Sequence, residues 1–274
     1  MAGTDDKGLV LGAQTPVPAQ YAPEILHPIP RALGRAELPG QGSAAAQGVD
    51  VWHAYELSWL QPGGRPVARV GRFSVPANSP NIVESKSFKL YLNSLNHHQF
   101  AHDDEAVATI VADISAAAGE AVSLELFELD DPALAGASLP GTCIDSAEPR
   151  TIAARPDAVP LQVDTNTEVE ETLYSHLMRS LCPVTGQPDW ATVWLSYRGP
   201  AIDHGSLLSH VLAFREHQEF HEQCVERLFC SVLERAQPQS LTVQALYTRR
   251  GGLDINPFRT TEPQAVPLPR MNRQ

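Results

Sequence analysis

Apolar and polar residues alternate along VARVGRFSV (67–75) and AVSLELFEL (121–129). A period of two is typical of a strand with one buried face. Other segments are rich in β-branched and aromatic residues, which favour strands. We predict them at VWHAYELSWL (51–60), LYSHLM (173–178), WATVWLSYR (190–198) and SLTVQALYT (240–248).

Helical periodicity occurs between these strands. In SKSFKLYLNSLN (85–96), Phe88, Leu92 and Leu95 fall on one helical face. The segment 103–119 begins with acidic residues and ends at Gly119, as expected of a helix with both end signals. Two more helices are predicted in SLLSHVLAFREH (206–217) and FHEQCVERLFCSVLERA (220–236).

The order of elements repeats, and an offset of 119 aligns the two halves without gaps from Glu84 to Phe127. Matching pairs under this offset are Ser87 with Ser206, His98 with His217, Gln99 with Gln218, His102 with His221, and Asp103 with Glu222. An unbroken register indicates an internal duplication. Each half is then an α+β unit with an antiparallel sheet and its helices on one face. We predict modules at 49–150 and 151–274, after an extended lead-in at 1–48 that is rich in Pro, Gly and Ala.

Composition restricts the function classes. The 274 residues carry a formal net charge of −12, which disfavours direct contact with nucleic acid phosphates. No apolar run is long enough to span a bilayer, and the N-terminal residues lack a signal-peptide pattern. We therefore expect a soluble cytoplasmic protein in which all four cysteines are reduced.

The stretch LCPVTGQPDW (181–190) places Cys182 before a proline, in a segment rich in turn residues. A thiol in a loop can be presented to a substrate as a nucleophile, whereas Cys224 and Cys230 fall within an amphipathic helix, as buried apolar cysteines do. Asp189 follows closely and is either a proton donor or an ordinary turn aspartate.

The FHE triplet (220–222) begins the last predicted helix. Glu222 is either a first-turn acid or a carboxylate that accepts two adjacent hydrogen bonds, as from the N1–H and 2-amino group of a guanine-type ring. His221 and Cys224 share a helical face, and with Cys182 they form a possible zinc ligand set.

Lysines are scarce, and the chain has only three of them: Lys7, Lys86 and Lys89. Two of them lie in ESKSFK (84–89), where they form either a phosphate contact or a solvated helix face. Arg249–Gly252 form a second basic turn. No GxGxxG follows a strand, so a Rossmann site for a dinucleotide is not expected.

These motifs resemble a known family. CPVTGQPDW, the downstream FHE and ESKSFKLYL are similar to the bimodular form of QueF, the NADPH-dependent 7-cyano-7-deazaguanine reductases of the queuosine pathway. The resemblance covers most of the chain and implies two tandem tunnelling-fold modules of ββααββ order. It also implies a homodimer and an active site formed between a first and a second half, since each half lacks the motif that the other carries.

The resemblance further implies that the enzyme reduces the nitrile to the primary amine 7-aminomethyl-7-deazaguanine. Two NADPH are consumed through a covalent Cys thioimide, and no metal is required. The implied catalytic residues are Cys182, Asp189 and His221. Substrate binding is implied for Val83, Glu84, Ser85, His221 and Glu222, and NADPH binding for Ser85, Lys86, Arg250 and Gly251.

Two other functions stay open from the residues themselves. One is a zinc-dependent cyclohydrolase-type enzyme on the same fold, with Cys182, His221 and Cys224 as ligands. The other is a purine-binding module without catalytic activity.

Overall fold

The computed structural model describes residues 18, 20–40 and 42–274. The strands are β1 (Pro28–Pro30), β2 (Gly48–Leu60), β3 (Pro66–Pro76), β4 (Asn81–Val83), β5 (Ser123–Phe127), β6 (Thr142–Cys143), β7 (Val163–Leu181), β8 (Pro188–Ile202), β9 (Ser240–Tyr247) and β10 (Leu253–Thr260). The helices are α1 (Arg31–Arg35), α2 (Ser85–Ser94), α3 (Asp103–Ala118), α4 (His204–Leu212) and α5 (His221–Ala236). Short 3-10 turns are Pro23–Ile25, Gly42–Ala46, Leu95–His97, Pro132–Leu134, Pro156–Ala158 and Ala213–Glu216.

One eight-stranded sheet joins both halves of the chain in the order β5-β3-β2-β10-β9-β8-β7-β6. Its neighbours are antiparallel except for β6, which pairs in parallel with β7. A separate two-stranded sheet pairs β1 with β4. The mixed α+β class with antiparallel strands that the sequence predicts is confirmed.

The predicted internal repeat is present in detail. Helix α2 begins at Ser85 and α4 at His204, which is the predicted offset. The two helix starts are built alike: the Glu84 carboxylate accepts the Ser87 N–H at 2.6 Å, and the Asp203 carboxylate accepts the Ser206 N–H at 2.8 Å. An acid that accepts a backbone N–H at this position stabilises the start of a helix.

Strand β10 was not predicted, and it connects the halves. It pairs with β2 of the first half on one side and with β9 of the second half on the other. Its Leu253 and Ile255 side chains belong to the core of the first half, together with Trp52 and Phe73 of β2 and β3. The first core is therefore completed by a strand that lies near the other end of the chain.

The sequence predicts that residues 1–48 form an extended lead-in. For the described residues of this segment, the prediction is wrong. Residues 23–46 contain two 3-10 turns, β1 and α1. Arg31 is buried and its guanidinium lies 2.6 Å from the Asp50 carboxylate, while Arg35 contacts Glu226 of α5 at 2.7 Å. Ion pairs with residues elsewhere in the chain hold this segment in place. Such pairs cannot be recognised from the local sequence, so the prediction missed them. Residues 1–17, 19 and 41 lie outside the described residues.

Among the described residues, no helix combines the length and the apolar character that crossing a membrane would require.

Candidate active site

A cavity of about 320 Å³ lies between the start of α2 in the first half and the β7–β8 loop and α5 in the second. Nine of the ten predicted site residues line it: Val83, Glu84, Ser85, Lys86, Cys182, Asp189, His221, Glu222 and Arg250. The tenth, Gly251, lies beside it, since a Cβ on Gly251 would collide with the Lys89 Nζ, and Lys89 lines the cavity. The two separated motifs therefore line one cavity.

Cys182 begins the loop that joins β7 to β8. Its N–H donates to the Gln187 carbonyl and its own carbonyl accepts the Gly186 N–H, both at 2.9 Å. Gly186 adopts a φ of 68°, a left-handed conformation that costs glycine little. The expected loop is present, and its thiol is buried: Cys182 is only 4% exposed. The loop folds back on itself, so the thiol is accessible from the cavity alone.

Asp189 is held between two cationic or potentially cationic groups. Its Oδ2 lies 3.2 Å from His221 Nε2, and its Oδ1 lies 3.1 Å from Arg250 Nη1. The His221 ring is stacked on Tyr247, with centroids 3.8 Å apart and an interplanar angle of 6°. Nδ1 of His221 is buried without a hydrogen-bond partner among the described residues. His221 and Asp189 are thus in contact within the cavity that Cys182 also lines, and one ring nitrogen of His221 stays without a hydrogen-bond partner among the described residues.

Glu222 is a carboxyl group of the cavity with a strongly raised pKa. Burial raises its pKa to about 7, and the nearby Asp50 carboxylate adds to the rise, against the opposing effects of Arg31 and His221. Asp50 itself stays ionised: burial would raise its pKa, but Arg259 and Arg31 outweigh that effect. Glu222 is thus a buried carboxyl that titrates near neutrality and faces a cavity, which is a common property of functional groups.

Glu84 differs from Glu222 in that its oxygens already have partners. They accept the N–H groups of Lys86 at 3.0 Å and Ser87 at 2.6 Å, so the carboxylate caps α2. The side chain therefore positions the helix start, and Glu222 is better placed to accept hydrogen bonds from a bound ring.

Three cationic side chains line the same cavity: Lys86, Lys89 and Arg250. Lys89 passes over the turn at Gly251, where φ is 63° and any side chain would block it. Arg250 is 44% exposed at the side-chain level and so lies toward the mouth of the cavity. Three cations beside a glycine turn fit the phosphate groups of a dinucleotide.

Sequence reasoning missed several residues of the cavity, among them Trp52 and Glu219. Trp52 of β2 contributes a buried aromatic wall. Glu219 lies next to the FHE motif and pairs with His217 at 2.9 Å and with Arg227. Burial would raise the pKa of Glu219, but His217 and Arg227 lower it. The signal for Glu219 was its place one residue before a motif already singled out.

The possible zinc ligand set does not form. Cys224 is fully buried, burial raises its pKa strongly, and its neighbours include Ser180 and Tyr247. It does not line the cavity that Cys182 and His221 share. Among the described residues, no three His, Cys, Asp or Glu side chains converge as metal ligands.

Comparison with known proteins identifies the family. Two family models match the chain: "Nitrile reductase, 7-cyano-7-deazaguanine-reductase N-term" at residues 17–126 and "QueF-like protein" at residues 188–265. These two matches define the class of protein to which the chain belongs: QueF-type enzymes that consist of two modules. An NADPH-dependent 7-cyano-7-deazaguanine reductase of Dechloromonas aromatica (strain RCB) is 51% identical over 259 residues, which cover 94% of this chain and 92% of that protein.

The chain therefore belongs to the family of NADPH-dependent 7-cyano-7-deazaguanine reductases, and it is an enzyme. A crystal structure of the archaeosine synthase QueF-Like in the apo form also matches, at 20% identity and a TM-score of 0.29. That match covers 36% of this chain and 96% of the other. The assignment rests on the sequence matches and not on this structural one.

Proposed function

We propose that this enzyme reduces the nitrile of 7-cyano-7-deazaguanine to the primary amine 7-aminomethyl-7-deazaguanine, with two NADPH per product. The observation that carries the proposal is the convergence of Cys182, Asp189, His221 and Glu222 on one cavity. It is supported by the reductase of D. aromatica, which shares half of its residues with this chain.

Cys182 is the nucleophile in this proposal. Its sulfur adds to the nitrile carbon, the thiol proton is given up, and the nitrile nitrogen takes up a proton, so that a covalent thioimide forms. A nitrile accepts hydride poorly, whereas a protonated thioimide has an electrophilic carbon. Burial of the thiol inside the cavity supports the step, because the sulfur meets a bound ring and not bulk solvent.

Asp189 and His221 move the proton. They lie 3.2 Å apart, and Arg250 holds the other oxygen of Asp189 at 3.1 Å. The pair can therefore pass a proton to the substrate nitrogen without rearranging. The stack of His221 on Tyr247 keeps the imidazole plane in one orientation.

Glu222 holds the ring in its ionised form. A carboxylate has two adjacent acceptor oxygens, which match the N1–H and 2-amino donors of the deazaguanine edge. Val83, Glu84 and Ser85 line the same cavity, and we assign them to the same ring. The aromatic face of Trp52 supplies part of the wall.

Ser85, Lys86, Arg250 and the Gly251 backbone are assigned to NADPH, whose chemical contribution is a hydride to the substrate carbon. After the first hydride the tetrahedral carbon expels the Cys182 thiolate and leaves an imine, and the second hydride gives the amine. Each reduction also consumes one proton. The enclosed cavity would protect the imine from hydrolysis to an aldehyde.

The proposal extends to the cellular context that the family resemblance implies: queuosine biosynthesis for tRNA modification, a cytoplasmic location and a homodimer. The chain itself is proposed to bind the small deazapurine and not nucleic acid, in keeping with its net charge of −12.

Intact-mass spectrometry tests the nucleophile directly. 7-Cyano-7-deazaguanine, added without NADPH, should increase the mass of the wild type by one substrate and leave Cys182→Ala unchanged. Addition of NADPH should then remove the adduct and release the amine. An adduct that persists in Cys182→Ala would refute the assignment.

A further inference from the structure

The segment before β2 has no role in the proposed function, yet one of its side chains lies beside the active site. Arg31 of α1 is 5% exposed and lines a small void together with Asp50 and Glu222. Glu222 and its neighbours Trp52 and Val83 line both this void and the first cavity. The carboxyl group proposed to hold the ring therefore borders the active site and the surroundings of Arg31 at once.

The void is too small for a substrate. Its volume is about 10 Å³, which is space for about one water molecule. A deazaguanine ring cannot enter it, and among the described residues Arg31 is not part of the lining of the first cavity. Any effect of Arg31 on the reaction therefore passes through a neighbouring side chain, and Glu222 is the neighbour that also borders the cavity.

The guanidinium of Arg31 has one nitrogen to spare. Its Nε donates to Ser79 Oγ at 3.1 Å, and its Nη2 donates to Asp50 Oδ2 at 2.6 Å. Nη1 is buried and lies 3.8 Å from the Glu226 carboxylate, but it has no hydrogen-bond partner among the described residues. A buried N–H without an acceptor is unfavourable, so this nitrogen favours an acceptor beside the void.

The local charge also favours a further anion. Three arginines, Arg31, Arg35 and Arg259, contact the two carboxylates of Asp50 and Glu226. This buried cluster therefore has one positive charge in excess. A third carboxylate beside it would balance the charge, as buried ions require.

The other charges around Glu222 do not replace Arg31. Burial and Asp50 raise the pKa of Glu222, and Arg31 opposes them more than His221 does. An arginine keeps its charge at every pH at which the enzyme is folded, whereas a histidine does not. On the cavity side, the charged and titratable groups are Glu84, Lys86, Lys89, Cys182, Asp189, Glu219, His221 and Arg250.

We propose that Arg31 is a positioning residue for ring recognition: its Nη1 supports the ionised carboxylate of Glu222, which then accepts the two donors of the ring. The inference rests on the proposed function of Glu222 and gives the segment before β2 a part in substrate binding. Arg31 itself does not touch the substrate.

The effect of Arg31 on Glu222 is measured without a ligand. In protein with carbon-13-labelled glutamate, the carboxyl resonance of Glu222, assigned by its loss in Glu222→Gln, reports ionisation. Its midpoint, about pH 7 in the wild type, should rise to about pH 8 or above in Arg31→Met, as expected when a nearby opposite charge is lost. Arg31→Lys retains the charge and should restore most of the difference.

Arg35→Met is the matched control. Arg35 belongs to the same helix and pairs with Glu226, one turn further along α5, but among the described residues it does not line the void. Its removal should move the Glu222 midpoint less. Circular dichroism checks that each variant is folded. If Arg31→Met does not fold, Arg31→Gln, which still has a donor for Ser79, takes its place and should give the same rise.

The effect on the ring is measured by calorimetric titration of the nitrile, with the Arg31 variants in the Cys182→Ala background. If the midpoint rises by about one pH unit, Arg31→Met should bind about 9-fold more weakly than the Cys182→Ala parent at pH 6. At pH 9 the two should bind almost equally, because Glu222 is ionised in both. A purely structural role would weaken binding by the same factor at both pH values.

The two measurements separate the possible failures. An unchanged Glu222 midpoint in Arg31→Met, or an equal rise in Arg35→Met, would overturn the proposal. Equal loss of affinity at pH 6 and pH 9 would also overturn it, because Arg31 would then be structural only. A raised midpoint with unchanged affinity at pH 6 would overturn the role in recognition, and it would trace the failure to the assignment of Glu222 to the ring.

Discussion

Affinity for the deazaguanine ring should depend on pH through Glu222. The carboxyl group must be ionised to accept both ring donors, and its pKa in the empty cavity is about 7. Below that pH the protein must release a proton from Glu222 before the ring can bind. Lowering the pH from 8 to 6 should therefore weaken binding, although neither the ring nor the cavity changes shape.

The size of the effect follows from this pKa. The apparent dissociation constant rises by one plus the ratio of protonated to ionised carboxyl, which is about 11-fold at pH 6 and about 1.1-fold at pH 8. The expected loss of affinity is thus about 10-fold. Calorimetric titration of the nitrile into Cys182→Ala measures it without the covalent step. Comparing buffers of different ionisation enthalpy should show release of about 0.9 proton at pH 6.

The control is Glu222→Gln in the same Cys182→Ala background, which keeps the shape and removes the titration. Its affinity should be weaker at pH 8 but nearly constant from pH 6 to 8. Equal affinity of the Cys182→Ala parent at both pH values, or the same pH dependence in Glu222→Gln, would refute the assignment of Glu222 to the ring.

The same pKa has a consequence for stability. Glu222 has an ordinary pKa of 4.5, which burial and Asp50 raise to about 7 in the folded protein. The folded state therefore binds this proton more tightly, so the contribution to stability is complete below pH 4.5 and is lost as pH rises through 7. It amounts to about 3 kcal/mol. Between pH 4.5 and pH 7, the unfolding free energy of the ligand-free protein should fall by about this amount, about 3 kcal/mol, relative to that of Glu222→Gln.

Three further predictions follow from the site and its support. Asp189→Ala should lower kcat by ~10²–10⁴-fold with little change in ring affinity, because the carboxylate acts in proton transfer. Lys86→Ala should raise the KM for NADPH and leave the KM for the nitrile unchanged. Asp50→Ala should lower the unfolding free energy by ~3–5 kcal/mol, because the buried Arg31 and Arg259 lose the carboxylate that they share.

Each of these has its own check. Near-normal turnover of Asp189→Ala would make Asp189 a structural turn residue. Arg65→Ala is the matched control for Lys86→Ala, since Arg65 is an exposed cation outside the cavity lining. An equal effect of both on the KM for NADPH would show only the loss of surface charge. Urea unfolding measures the Asp50 variant, and a loss below about 1 kcal/mol would mean that the two arginines find other partners.

The sequence predicts the elements with regular periodicity but not β10. All eight residues of β10 are buried, so its sequence LDINPFRT has no alternation of exposed and buried positions to recognise. It also contains a proline and several polar residues, which usually indicate a loop. Asp254, Asn256 and Arg259 are tolerated there because each is paired: Asp254 with His53, Asn256 with the Tyr247 N–H, and Arg259 with Asp50.

The residues proposed for the site are easier to single out from the sequence than the residues that support them. Long motifs carry Cys182, Asp189 and Glu222, so a single sequence is enough to recognise them. The raised pKa of Glu222, in contrast, depends on burial and on Asp50 of β2, more than 170 positions away in the chain. The helix-capping role of the Glu84 carboxylate likewise appears only when its two backbone partners are seen.

The position of β10 has a consequence during synthesis on the ribosome. Strand β2 ends at Leu60 and its partner β10 begins at Leu253, 193 positions later. At ~5–20 residues per second, the open edge of β2 waits about 10–40 s for its neighbour. An unpaired edge beside an incomplete apolar core is a site for wrong association between nascent chains. Correct folding of the first half therefore has to wait until β10 has been translated, and this interval is when a chaperone would be most needed.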